Sequence, residues 1–358
     1  MPSTRIDTET LEALGMGAAI LSAGGGSFPY LECLCAADLL RSTTVELIPM
    51  DALSDDANVA MVAMAGAPLA MTERFVDADH FAKPVRALEA LGHRFDAIMG
   101  HEIGSMNGII PVLVAARTGL PLVDADTMGR SFPQAHMTSF ALAGVPMTPM
   151  ALCDIRDNSV VMTEALDGRW TETMMRAVTT SFGSIAAIAS AARGATIKAH
   201  GIAGTPSRAI RIGKAILAAQ QDQSDAVATL LQAEAGIELV RGRIVDIARE
   251  TTGGFVRGVA TVMPANGDAM TVHFQNEYAV VAQGDTILAT VPDLICVLDA
   301  QRGEPIGTEA LRYAQQVVVA ALPPTAAHMT AHALAVLGPR GFGYDFDYTS
   351  PHQRGSSH

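Results

Sequence analysis

The first half of the chain alternates between segments of helical periodicity and short apolar runs. Apolar residues that recur about every three or four positions predict helices, and short apolar runs closed by Gly or Pro predict buried strands. The predicted helices cover residues 8–21, 29–40, 81–91 and 107–117. The predicted strands cover residues 45–49, 58–64, 95–99 and 120–123. This alternation indicates an N-terminal layered α/β domain with a mostly parallel or mixed sheet, which closes near residues 140–154.

The pattern changes after about residue 157. A short hairpin is predicted around Asp167-Gly168, and the Ala- and Ser-rich residues 173–192 predict a helix. A second helical stretch, residues 206–235, is expected to pack against it. Between residues 237 and 298 the apolar period falls towards two, with turn signals in between. The last predicted elements are a strand at 317–321 and a helix at 331–337. This half therefore predicts a C-terminal β-rich α+β domain.

The length of 358 residues favours two domains over one. We place the N-terminal α/β domain at residues 1–165 and the C-terminal β-rich domain at residues 166–350. Residues 351–358 form a tail that we expect to be disordered. No Pro-, Gly- or Ser-rich linker separates the two domains, so we expect them to be closely docked.

Composition narrows the class of protein. No apolar run reaches the roughly 18 residues of a membrane span, and the first residues lack the order of a signal peptide, so we expect a cytoplasmic protein. The net charge of −13 disfavours nucleic acid and anionic membranes as partners. The four cysteines lack a zinc-binding spacing and are expected to be reduced. The small-residue segment 173–192 suggests a homo-oligomer.

Polar side chains concentrate in residues 98–137, within a strand–helix–strand order that predicts a parallel crossover. Such groups are costly to bury without partners, so their clustering indicates a site. Glu102 and Asp124 each follow a predicted strand, and ligands bind at the carboxyl ends of parallel strands. We therefore expect both carboxylates at the same edge of the sheet. The candidate catalytic residues are Asp124, Asp126, Glu102 and Arg130.

These groups leave more than one role open. The carboxylates can supply a general base, or they can bind a divalent metal such as zinc. The candidate metal ligands are Asp124, Asp126, His136 and His101. In a purely structural alternative, Asp126 caps a turn and Asp124 pairs with Arg130. Asn107 begins a predicted helix, where it is expected to act as the N-cap unless it contacts a substrate.

Other candidate residues lie outside this segment. The three glycines at 24–26 precede a predicted helix and can present backbone N–H groups to an anion, or they can form a tight turn between helices. Glu277 and Asp293 end predicted strands of the second domain, and Tyr344 lies in a glycine-rich loop that can close the interdomain cleft. The candidate substrate-binding residues are Gly24, Gly25, Gly26, Asn107, Glu277, Asp293 and Tyr344.

Six segments of the chain resemble one known family. They read SAGGGSFPY, GHEIGSMNG, GLPLVDADTMGRSFPQ, FQNEY, TVPDLI and GPRGFGYD. Together they are similar to the S-methyl thiohydantoin desulfurase-like family, whose members are often encoded beside hydantoin-utilisation enzymes. Many relatives have a fourth glycine followed by an acidic residue, an EIGG and a DADGMGRA. This chain differs from that pattern at Ser27-Phe28, Ser105, Thr127 and Ser131.

The resemblance implies a two-domain hydrolase that removes a sulfur substituent from a five-membered thiohydantoin ring. Water would attack the ring carbon between the two nitrogens, and a thiol would leave. The alternative is a non-catalytic ligand-binding or assembly subunit of a hydantoinase-type complex, because the sequence contains no Ser-His-Asp, Cys-His or complete metal motif. The partners implied are a small-molecule substrate and hydantoinase-type subunits. A nucleotide-dependent enzyme is disfavoured because the glycine turn lacks the lysine of a phosphate loop.

Overall fold

A computed structural model describes residues 4–66, 78–252 and 255–351. Residues 352–358, most of the predicted tail, lie outside these described ranges. Within them, no helix is long and apolar enough to cross a membrane. The described residues form two sheets with helices packed against them, which confirms the predicted α/β and β-rich classes.

The first sheet is mixed. Its strands are β1 (Thr4–Ile6), β2 (Val45–Pro49), β3 (Asn58–Gly66), β4 (Ala97–Gly100), β5 (Leu122–Asp126), β6 (Met150–Cys153), β7 (Ser159–Met162), β8 (Ile185–Arg193) and β9 (Ile202–Ala203). In the order β1-β2-β5-β4-β3-β8-β6-β7, the strands from β2 to β3 are parallel to one another, and β9 pairs with β5. The strands nearer the two edges pair antiparallel. The predicted parallel crossover from β4 to β5 is therefore confirmed.

Ten α-helices lie within the described residues. They are α1 (Thr8–Leu21), α2 (Tyr30–Leu40), α3 (Ala78–Ala90), α4 (Met106–Thr118), α5 (Ser139–Leu142), α6 (Gly168–Ser181), α7 (Gly194–His200), α8 (Thr205–Gln221), α9 (Ala226–Ala233) and α10 (Ala331–Leu337). Alternate residues of β3 enter two different core clusters, as Val62 and Met61 illustrate. The sheet is therefore buried on both faces, as expected for parallel strands with helical crossovers.

The structure corrects the prediction for residues 173–192. Helix α6 begins after Asp167, which accepts a hydrogen bond from the Trp170 N–H, and it ends before Gly183. The segment then continues as β8, which lies between β3 and β6. The Ala-rich composition favours a helix locally, but pairing on both sides overrides that propensity. The predicted hairpin at Asp167 is also wrong, because β7 pairs with β6.

Helix α8 packs against α1 rather than against the predicted small-residue helix. The axes of α1 and α8 approach each other closely. A Cβ on Gly17 of α1 would lie 1.8 Å from the Ala209 carbonyl oxygen. Likewise, a Cβ on Gly213 of α8 would lie 1.8 Å from the Ala13 carbonyl oxygen. Any side chain at either glycine would separate the helices. The expectation of a homo-oligomer rested on the small-residue segment 173–192 as a free helix. Because residues 185–193 form β8 inside the sheet, they present no free face, and the segment no longer supports that expectation.

The second sheet contains seven antiparallel strands within the described residues. They are β10 (Ile237–Thr252), β11 (Phe255–Pro264), β12 (Met270–Gln275), β13 (Glu277–Gln283), β14 (Thr286–Thr290), β15 (Leu294–Asp299) and β16 (Gln316–Leu322), in the order β14-β13-β12-β11-β10-β16-β15. Leu298 and Val318 of this sheet belong to the same core cluster as Leu14 and Ile212 of α1 and α8. The two sheets therefore share a layer of helices.

Candidate functional site

A cavity of about 370 Å³ lies at the carboxyl ends of β3 and β4, beside the start of β13. Its walls come from the loops that follow α1, β4 and β5, from α6, and from the second sheet. The polar residues of its lining include Ser27, His101, Glu102, Ser105, Asn107, Ser131, Asn276, Glu277 and Glu309. The site therefore combines the strand-end position predicted for the first domain with residues from the second.

Glu102 is a half-buried residue in the loop after β4, and it contributes its carboxyl group to the cavity. Its Oε1 accepts a hydrogen bond from Asn107 Nδ2, and its Oε2 has no hydrogen-bond partner in the described structure. Burial raises the pKa of Glu102 to about 7, against the opposing effects of Asn107, Ser131 and Arg130. At neutral pH this carboxyl group is therefore able both to accept and to release a proton.

Asn107 fixes the orientation of Glu102 and does not cap its helix. Its Oδ1 accepts a hydrogen bond of 2.7 Å from the Met64 N–H, which directs the amide NH₂ towards Glu102. Residue Ser105 occupies the N-cap position of α4. The predicted N-cap is corrected, and Asn107 instead connects the end of β3 to the carboxylate.

Glu277 opens β13 and lines the cavity from the second sheet. Its Oε2 is buried without a hydrogen-bond partner among the described residues. Burial and the negative charge of Glu102 raise the pKa of Glu277 to about 8, while the charge of Arg130 lowers it. Near neutral pH the two glutamates therefore occupy one cavity with different affinities for a proton.

The glycine turn contacts the second domain, which explains why it consists of glycines. Gly24 has a φ of +90°, and a Cβ there would lie 2.4 Å from the Tyr278 ring. A Cβ on Gly25 would lie 2.7 Å from Glu277 Oε1. The Tyr278 N–H also donates to the Ala23 carbonyl at 2.8 Å. The turn therefore lets β13 approach closely, and Gly25 and Gly26 line the cavity.

Arg130 is fully buried behind the cavity wall. Its Nη1 donates to the carbonyl of Asp293 at 2.6 Å, and its Nε donates to the Ser131 carbonyl at 3.0 Å. Burial lowers the pKa of Arg130 to about 10, while the charges of Glu277 and Glu102 are among those that raise it. The guanidinium is therefore charged at neutral pH and provides positive potential behind both glutamates.

Asp124 lies inside β5, because this strand extends to residue 126 instead of ending at 123. Its carboxylate accepts hydrogen bonds from Ser207 N at 2.9 Å and from Ser207 Oγ at 2.6 Å, in the first turn of α8. Asp124 does not line the cavity. The geometry gives it a helix-capping role, where the sequence predicted a catalytic one.

Asp126 is also absent from the cavity lining. Both of its carboxylate oxygens accept from the Gly129 N–H, at 2.8 and 3.0 Å, so it caps the turn after β5 as the structural alternative predicted. Burial raises the pKa of Asp126 to about 8. The alternative pairing of Asp124 with Arg130 is not found, because Asp124 binds Ser207 instead.

The candidate metal ligands are not brought together. His101 lines the cavity, and its Nε2 lies 3.0 Å from Ser190 Oγ. His136 lies in a 3₁₀ turn near α6. Throughout residues 4–66, 78–252 and 255–351, no three His, Cys, Asp or Glu side chains are grouped so that they could hold a metal ion.

The remaining predicted binding residues lie outside the cavity lining. Asp293 is buried beside Arg130, and its Oδ1 accepts from the Tyr348 hydroxyl at 2.8 Å. Tyr344 packs against Phe346 and lies 6.4 Å, ring to ring, from His273. Both residues stabilise the C-terminal segment against the second sheet.

Sequence reasoning missed the hydrogen bonds that join Ser27 to Glu309. Glu309 Oε1 accepts from Ser27 N at 3.1 Å and from Ser27 Oγ at 2.8 Å. The Ser105 hydroxyl donates to the Ser27 carbonyl at 2.6 Å. Ser27, Ser105 and Ser131 all line the cavity, and all three are positions named in the sequence analysis as departures from the pattern of the family that the chain resembles. Those differences are the signal that could have identified them.

Comparisons with known proteins agree with this architecture. An X-ray crystal structure of a protein from Chromobacterium violaceum superposes with a TM-score of 0.81 at 24% sequence identity, covering 97% of this chain and 100% of that chain. At this identity the likeness shows the fold alone. Among curated proteins, none matches significantly. Sequence profiles of the S-Me-THD-like N-terminal and C-terminal domains match residues 9–164 and 166–351. The chain therefore belongs to the S-Me-THD-like family, the S-methyl thiohydantoin desulfurase-like family that its motifs resemble.

Proposed function

We propose that this protein is a hydrolase that removes a sulfur substituent from a five-membered thiohydantoin ring. The observation that supports it best is the pair of carboxyl groups of the half-buried Glu102 and the buried Glu277, which line one cavity. Burial raises the pKa of Glu102 to about 7 and that of Glu277 to about 8. A pair that shares about one proton near neutral pH can supply a base and an acid in the same reaction.

The reaction needs both functions. The deprotonated carboxylate accepts a proton from water as the water oxygen bonds to the ring carbon between the two nitrogens. The tetrahedral intermediate then loses its sulfur substituent, and the protonated carboxyl group donates its proton to the departing sulfur. The added hydroxyl group loses its proton and becomes the ring carbonyl. That proton ends on the ring nitrogen that was part of the C=N bond, so the products are a hydantoin and a thiol, and water supplies the oxygen and both protons.

We assign the base role to Glu102 and the acid role to Glu277. Glu102 has the lower pKa of the two and is oriented by Asn107, whose amide is fixed by the backbone of Met64. Glu277 is the carboxyl group that holds its proton at neutral pH, because the charge of Glu102 adds to the effect of burial. Arg130 lies behind the cavity wall, and its positive charge stabilises the negative charge that develops in the intermediate.

Thiol release from S-methyl thiohydantoin tests this function. We expect Glu102→Gln and Glu277→Gln each to lose on the order of a hundredfold to ten-thousandfold in kcat, because each removes one proton-transfer group. The matched control is Glu12→Gln, since Glu12 is exposed on α1. Wild-type turnover retained in both site variants would refute the assignment. If the wild-type protein binds the ring without releasing thiol, the binding-subunit alternative holds instead.

A further inference from the structure

The imidazole of His101 lines the cavity but has no role in the reaction described above. His101 is 4% exposed, and its Nδ1 has no hydrogen-bond partner among the described residues. A buried polar atom without a partner destabilises the folded protein, so it needs an explanation. Because the residue lines the cavity, a ligand bound there is the group that can satisfy this nitrogen.

The backbone of His101 is fixed directly after β4. Its N–H donates to the Val62 carbonyl of β3 at 3.1 Å, and its carbonyl accepts from the N–H and the hydroxyl of Thr127, at 3.1 and 2.7 Å. These hydrogen bonds connect β3, the end of β4 and the loop after β5. The imidazole therefore extends into the cavity lining from a backbone that is held on two sides.

Ser190 contacts the other ring nitrogen of His101. Its Oγ lies 3.0 Å from Nε2, and Ser190 is fully buried in β8, between Met61 of β3 and Met150 of β6. All other residues from 185 to 192 are Ile or Ala. A hydroxyl group in such a strand is costly to bury unless it forms a hydrogen bond. The contact with His101 therefore explains why this position carries a serine.

This contact determines which nitrogen of His101 carries the proton. Burial lowers the pKa of His101 to about 4, so the imidazole is neutral at neutral pH and has a single N–H. The Ser190 hydroxyl has no other hydrogen-bond partner within the described residues, so it donates to Nε2. Nε2 is then an acceptor, and the proton is on Nδ1. His101 thus presents an N–H donor that has no acceptor in the protein.

A neutral donor fits the charge that the proposed reaction develops. When water adds to the ring carbon, the electrons of the C=N bond move to the ring nitrogen, which becomes negative before it is protonated. The carboxyl groups of Glu102 and Glu277 do not stabilise this charge, and Arg130 lies behind the cavity wall. A donor in contact with the charged atom stabilises it directly. A neutral imidazole does so without lowering the pKa of either glutamate, as a cation would.

We propose that His101 is a catalytic residue whose Nδ1–H donates a hydrogen bond to the ring nitrogen of the C=N bond, and that Ser190 is the positioning residue that fixes its tautomer. This hydrogen bond strengthens as negative charge develops on the ring nitrogen, so it lowers the barrier to water attack. His101 keeps its proton throughout, and the ring nitrogen receives its proton from the added hydroxyl group. The inference rests on the proposed function for the identity of the ring.

Two substitutions distinguish a donor at Nδ1 from a structural contact with Ser190. The side-chain amide of Asn lies near the position of Nδ1, whereas the longer side chain of Gln places its amide near Nε2. In His101→Gln we expect kcat to fall about a hundredfold or more at similar KM, because the contact with Ser190 is kept and the donor is lost. In His101→Asn, which keeps a donor near Nδ1, kcat should fall only about tenfold.

The matched control is His332→Gln, because His332 is exposed on α10 and does not line the cavity. Its kcat should equal that of the wild type, and thermal melts of all variants establish that they are folded. If His101→Gln is as active as His101→Asn, or more active, the imidazole has only a structural role and the proposal is overturned.

Nitrogen-15 NMR of the wild-type protein tests the tautomer even if both His101 variants fail to fold. With the imidazole signals assigned from the backbone resonances, we expect His101 to be protonated at Nδ1 and unprotonated at Nε2 at neutral pH. In Ser190→Ala the two tautomers should both be present, and kcat should fall with little change in KM. A proton on Nε2 in the wild type would overturn the proposal.

The same spectra separate this proposal from the proposed function. On addition of S-methyl thiohydantoin, with Glu102→Gln used to slow turnover, the signal of the Nδ1 proton should shift as it gains an acceptor. If the signal shifts but the wild type releases no thiol, His101 binds the ring as inferred and the hydrolase function fails. If thiol is released but the signal does not shift, the function stands and the assignment of His101 is overturned. Absence of both overturns both.

Discussion

The negative charge of Glu102 raises the pKa of Glu277, although the two residues belong to different sheets of the protein. Glu102 follows β4 in the first sheet, and Glu277 begins β13 in the second. Docking of the two sheets therefore creates an electrostatic relationship that neither sheet has alone. Burial is the larger cause of the raised pKa of Glu277, and the arrangement of the two carboxyl groups in one cavity adds to it.

The raised pKa of Glu277 predicts a pH-dependent stability. The folded-state pKa is about 8 against an ordinary value of 4.5. A carboxyl group of this kind stabilises the fold fully below pH 4.5, and the contribution is lost as the pH rises through about 8. We therefore expect the Tm of Glu277→Gln, relative to wild type, to increase between pH 5 and pH 9.

Thermal melts at several pH values check this prediction. The exposed Glu46→Gln serves as the control, and its Tm difference from wild type should not follow the same trend. A constant difference between Glu277→Gln and wild type across this range would contradict the raised pKa.

The hydrogen bonds between Asp124 and Ser207 predict a stability defect without a catalytic one. Asp124→Ala removes the acceptor for both Ser207 N and Ser207 Oγ at the start of α8. We expect a loss of about 1–2 kcal/mol in the free energy of unfolding, the usual cost of losing a helix cap. Turnover per folded molecule should stay at the wild-type level, because Asp124 does not line the cavity.

Urea melts and thiol-release assays of Asp124→Ala test both parts. Ser207→Ala is the matched variant, and it should cost less because the backbone N–H can still donate. A loss of orders of magnitude in turnover with an intact fold would return Asp124 to the catalytic role that the sequence suggested.

Contact between Gly24 and Tyr278 predicts an unusually costly alanine substitution. Gly24 and Gly92 have similar positive φ angles of +90° and +98°. A Cβ on Gly24 would meet the Tyr278 ring, whereas a Cβ on Gly92 would meet nothing within 4 Å. Gly24→Ala should therefore cost about 1–3 kcal/mol more than Gly92→Ala, the typical penalty for overpacking.

Denaturant unfolding of the two variants measures this difference directly, since the cost of the positive φ is common to both. Equal losses would show that the glycine turn does not approach the second sheet as closely as the structure indicates. Since Glu277 precedes Tyr278, Gly24→Ala should also lower turnover.

Local sequence determined many elements of the fold. The bounds of α1, β2 and α10 agree with residues 8–21, 45–49 and 331–337 as predicted. Each has a local signal: apolar periodicity together with Asp7 or Thr330 as an N-cap for the two helices, and a short apolar run for the strand. The order of strand, helix and strand was likewise sufficient to predict the parallel pairing of β4 with β5.

The tertiary structure decided which polar groups meet. Glu102 and Glu277 were each identified from their position at a strand end, but their shared cavity depends on how the two sheets dock. Asp124 was assigned to the site because β5 was predicted to end at residue 123, and the pairing of Ala125 with Ala203 extends it. Pairing with distant strands also converts residues 185–193 into β8, against their helical composition. Sequence periodicity reports local conformation, whereas hydrogen bonding and burial between distant residues determine strand ends and the partners of each carboxyl group.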